Sequence, residues 1–76
     1  MESEVFSPEE ICLMRLVVTF RRAFSSGNES PPRQVIHESR KKMLSDGFTE
    51  ERLAYLTGLV VRADGERRLD EFESNL

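Results

Sequence analysis

Residues 7 to 20 constrain this fold more than any other stretch: Ser7-Pro8-Glu9-Glu10 runs straight into Ile11-Cys12-Leu13-Met14-Arg15-Leu16-Val17-Val18-Thr19-Phe20. A serine able to cap, a proline preset for the first turn and a glutamate at the third helical position announce a helix start. From Ile11 to Phe20 only Arg15 and Thr19 break the apolar run. A surface helix carries one apolar stripe and a polar face, so a helix apolar on nearly every side must be enclosed by other elements or by another chain.

The spacing predicts a first helix from Pro8 to about Phe24, with Leu13, Leu16, Val17, Phe20 and Phe24 as its core stripe and Ile11, Met14 and Val18 on a second side. Ser25-Ser26-Gly27-Asn28 then supplies a glycine able to take positive φ and small polar residues suited to a loop. Ser30-Pro31-Pro32 repeats the serine-before-proline device, so a second helix is expected from there to about Ser45, ended by Asp46-Gly47. Its apolar side holds Val35, Ile36, Met43 and Leu44, with Ser39 between them, and Arg33, Arg40, Lys41 and Lys42 lie opposite. Thr49 caps a third helix whose first turn carries Glu50 and Glu51 and whose stripe is Leu53, Leu56, Leu59 and Val60. Phe48 and Leu53 stand at hydrophobic-staple spacing around that cap.

After Gly58 two readings diverge. In the first, helix 3 crosses the glycine to Asp64-Gly65, and Leu69, Phe72 and Leu76 form a short fourth helix. In the second, helix 3 stops at Thr57-Gly58 and residues 59–69 make a β-hairpin around Asp64-Gly65, a favoured two-residue turn. Helices are preferred, because Leu53, Leu56 and Val60 continue across the glycine and an isolated hairpin is marginal. The expected fold is therefore all-α, a small bundle of three or four short helices. Residues 1–76 are read as a single domain, with 1–6 a flexible acidic N-terminus.

So short a chain buries a small share of its surface, and domains of this size commonly add disulfides, a metal or a partner subunit. Cys12 is the only cysteine and His37 the only histidine, so neither an internal disulfide nor a zinc site of Cys and His ligands can form within one chain. Self-association or partner binding is the device left, which makes a homodimer an expected variant. Within its apolar run Cys12 reads as a small core residue and points to a reducing compartment. The acidic start and the shortness of the apolar run exclude a secretory signal and a membrane span, so the expectation is a cytoplasmic protein with no membrane partner.

Charge is segregated. Residues 1–14 carry −4, residues 15–42 carry +5 and residues 43–76 carry −4, which make up the net −3. Such a pattern reflects a face that steers a partner, neutralisation between segments, or solubility alone.

No catalytic constellation is present. His37 has no recognisable nucleophile or second base beside it, so neither enzymatic activity nor a small-molecule substrate is expected. Asp64-Gly65-Glu66 lacks the alternating oxygen ligands of a calcium loop, and no metal or other cofactor is expected. Ser45-Asp46-Gly47-Phe48-Thr49 joins two helices in the manner of a helix-turn-helix. Against that, Met43 stands where a small residue is usual, Lys42 and Asp46 occupy positions normally apolar, and the helix after the corner opens with Glu50-Glu51.

The function expected from the residues is thus a small non-enzymatic protein-binding module or regulator, an accessory or inhibitory factor acting stoichiometrically. A nucleic-acid-binding regulator is the alternative. Candidate contact residues are Arg21, Arg22, Arg40, Lys41 and Lys42 toward an acidic partner or nucleic acid, and Leu69, Phe72 and Leu76 if an apolar patch stays open.

Overall fold

A computed structural model describes residues 5–27 and 33–76, apart from the side chains of Ser25 and Ser26. Its elements are α1 (Pro8–Ser26), α2 (Arg33–Ser45), α3 (Glu50–Gly65) and α4 (Leu69–Ser74), with no strand among the described residues. The all-α reading holds in its four-helix form, and the hairpin over 59–69 is not formed.

The start of α1 follows from its sequence. Glu10 N–H donates to Ser7 Oγ at 3.3 Å, and Ser7 N–H donates to Glu10 Oε1 at 2.9 Å, which completes a capping box with Pro8 at the first position. The helix runs two residues past Phe24 and closes on Gly27, whose φ of 74° is the left-handed conformation that glycine adopts without a Cβ penalty. The expected start of α2 at Ser30-Pro31 lies outside the described residues. At its other end, Phe48 N–H reaches back to the Met43 carbonyl and Gly47 N–H to that of Leu44, the paired bonds of a Schellman closure. Thr49 accepts the Arg52 N–H at 3.1 Å and opens α3.

α1 is the hub. α2, α3 and α4 all pack on it, and α4 packs on α3 as well. Leu13, Met14, Val17 and Val18 meet Met43 of α2 and Leu53, Leu56 and Val60 of α3 in one buried cluster. Phe6, Ile36, Leu44, Phe48, Leu59 and Leu69 surround it, half-buried. The staple residues Phe48 and Leu53 thus both join the core, as their spacing predicts.

Three expectations for α1 need correction. The helix is not enclosed all round: its two polar breaks, Arg15 and Thr19, lie with Cys12 on one solvent-facing strip, where Thr19 Oγ1 donates to the Arg15 carbonyl at 2.9 Å. Cys12 is consequently exposed and not a core residue. Phe24, read as the last residue of the core stripe, is 76% exposed, and Leu16 and Phe20 are only half-buried. Apolar spacing named Leu13 and Val17 correctly, but Met14 and Val18 of the second side are equally buried, so the core face lies between the two sides and leaves Phe24 in the last turn open.

Candidate interaction surface

Apart from Arg15, exposed on the open strip of α1, the cations of the middle segment divide into two groups. Arg21 Nε donates to Asp64 Oδ2 at 2.5 Å, tying α1 to the end of α3. Arg22 bridges to α4, with Nη1 on Glu73 Oε1 at 2.7 Å and Nη2 on Asp70 Oδ1 at 2.5 Å. The Glu73 carboxylate, supported by Asp70, raises the Arg22 guanidinium above its ordinary value. Neutralisation between segments therefore accounts for the charge pattern at these two residues.

α2 is different. Arg40 is half-buried, Lys41 and Lys42 are exposed, and none of them forms an ion pair with a described residue. Arg33, at the start of the helix, holds its guanidinium 5.7 Å from the centre of the Phe20 ring, within cation–π range. With these four cations against Glu38 alone, α2 carries +3.

Between α1 and α2 this charge adjoins apolar surface. A groove of about 320 Å³ is lined by Phe20, Arg21, Phe24, Arg33 and Asp64. A second, lined by Phe20, Arg33, Ile36, His37 and Arg40, shares two of those residues with the first. Apolar spacing hides this site, because it assigns Phe24 to the core. A usable signal was present: an aromatic in the final turn of a helix, just before Ser25-Ser26-Gly27, has few elements left to pack on.

The remaining candidates sit elsewhere. Leu69, Phe72 and Leu76 are half-buried against the core cluster on the α3–α4 side, well apart in the chain from the cations of α2. Cys12 borders a shallow groove with Pro8, Glu9, Ser39, Lys42 and Asp46. The corner from α2 to α3 matches a helix-turn-helix in sequence order, but both helices pack chiefly on α1. Met43, at the position where that motif wants a small residue, is buried in the core.

A second electrostatic feature lies at the opposite end of α1. Glu10, 5% exposed, accepts from Arg52 Nε through Oε2 at 2.6 Å while its other oxygen completes the capping box. The hydrogen bond from Arg52 holds the Glu10 carboxyl below its ordinary range, against the opposing effect of burial, with Ser7 adding to the lowering. Arg52 also lies over the rings of Phe6 and Tyr55, at 5.8 and 5.2 Å. This arrangement locks the starts of α1 and α3 together.

Among the described residues no helix is long and apolar enough to cross a membrane, and no three His, Cys, Asp or Glu side chains gather as metal ligands. No family model, curated protein or solved structure matches the chain.

Proposed function

We propose that the protein is a small non-enzymatic binding module that acts stoichiometrically on a protein partner through the cationic side of α2. The observation that carries this reading is the contrast between the two groups of cations. Arg21 and Arg22 are neutralised by acids of the same chain, whereas the exposed Arg33, Lys41 and Lys42 and the half-buried Arg40 have no acidic partner among the described residues. Segregated charge of this kind speeds encounter with an acidic surface and selects against basic ones.

The tagged chain used as bait in an extract of its source cells, with and without nuclease, tests the reading. Retention of a protein after nuclease, and its loss from an R40E/K41E/K42E bait, is the expected result. Capture that vanishes with nuclease would favour nucleic acid as the ligand instead. Capture indifferent to the charge reversal would remove α2 from the interface.

A further inference from the structure

We infer that the groove between the last turn of α1 and the first half of α2 receives an acidic peptide segment of a partner protein, with one large apolar side chain seated against Phe20 and Phe24 and carboxylates set against Arg33 and Arg40. The inference rests on the protein-binding reading above and names the chemistry of the partner.

Phe24 is the first observation. It continues the side of α1 that bears Leu13 and Val17, both buried, yet it is 76% exposed. The reason is local: Arg21, one turn earlier, is tied to Asp64 near the end of α3, so α3 is finished where Phe24 begins to need cover. An exposed aromatic beside a half-buried one is the kind of feature that anchors an interface, because a partner's apolar side chain placed there removes area from water on both molecules.

Charge complementarity is the second. Asp64 is the one acid among the described residues lining the groove, and Arg21 already engages it at 2.5 Å. The remaining charges among the described lining residues are Arg33 and Arg40, neither with an acidic partner among the described residues. Arg33 is also ordered in advance, its guanidinium held over Phe20 with N–H donors left for a carboxylate fork. Preordering of that kind reduces the entropy lost on binding. A polyphosphate chain fits less well, since it needs a track of cations, and the described lining offers only Arg33 and Arg40 without an acidic partner among the described residues.

The test is a titration of the isotope-labelled full chain followed by amide shifts. The probe is a peptide of about fifteen residues, alternating Glu and Ala around a single central Phe, a length that spans such a groove. Its two comparators are the same peptide with Ala for Phe and a single-stranded thymidine oligonucleotide of equal length. Shifts centred on Phe20, Phe24, Arg33 and Arg40 are expected, with binding roughly tenfold weaker for the Ala peptide and for the F24A chain, and weaker still for R33E/R40E. Phe24 is exposed, so F24A keeps the fold, which an otherwise unchanged amide spectrum verifies.

Three results would overturn the inference: no localised shifts at millimolar peptide, equal binding of the Phe and Ala peptides, or tighter binding of the oligonucleotide at the same residues. A protein captured from extract by F24A as well as by the original chain, and lost only from R40E/K41E/K42E, would overturn the groove while leaving the proposed function standing.

Discussion

Arg67 is the only described residue other than glycine with positive φ, at 58°. It occupies the left-handed position after α3, where Arg68 N–H bonds the Ala63 carbonyl at 2.7 Å and Arg67 N–H bonds that of Asp64 at 3.0 Å. Glycine holds this conformation without steric cost, so R67G is expected to raise stability by about 0.5–1 kcal/mol in urea denaturation despite the freer unfolded chain. Glu10 works in the other direction. Because its carboxyl titrates lower in the folded state, its contribution is present above the ordinary carboxylate range and is lost as pH falls through that range and below. E10Q should therefore cost about 1–2 kcal/mol at neutral pH, at the lower part of what a charged hydrogen bond contributes because Arg52 is partly exposed, and should flatten the acid limb of a stability–pH curve. Part of this was legible in the sequence. Ser7, Pro8 and Glu10 announced their capping box, being three residues apart, whereas Arg52 is 42 positions from Glu10 and no local pattern could pair them. Gly65 was the evident turn residue, yet it closes α3 and leaves Arg67 to take the positive φ.

At the scale of elements, the stretch after Gly58 tests which signal dominates. A hairpin turn at Asp64-Gly65 and a helical stripe through Leu53, Leu56 and Val60 competed, and the stripe prevails because all three side chains are fully buried against α1, with Ala63 buried one turn on. Tertiary burial overrides a local turn preference. Gly58 is then a glycine in mid-helix with open space where a Cβ would stand. G58A is expected to stabilise the protein by about 0.5–1 kcal/mol, read from the chemical denaturation midpoint; a loss of stability would contradict a helix through this position. For α1 the sequence disclosed the start, the apolar sides and the approximate end. It did not disclose that Cys12 joins Arg15 and Thr19 on the open strip, because apolar spacing cannot tell which of several apolar sides the other helices will reach.

The whole molecule measures 36 × 35 × 18 Å, and its thin dimension admits about two layers of helices at ordinary packing distance. A core one side chain deep leaves a large rim, and the segregated charge lies on that rim. Its three blocks were readable from composition along the chain, but which cations would be neutralised depended on the C-terminal acids folding back onto α1, a tertiary event. Since the α2 cations make no ion pair with a described residue, R40E/K41E/K42E should shift stability by less than about 1 kcal/mol in thermal and urea unfolding. A larger loss would place these residues in the fold and not in an interface. α4 sets where the positive surface stops. With six residues it is too short to persist as a helix unless docked, and it delivers Asp70 and Glu73 to Arg22. Whenever that last turn and a half lifts away, Arg22 loses both of its carboxylates, and a bare guanidinium joins the exposed Arg15 on α1 without any change in covalent structure.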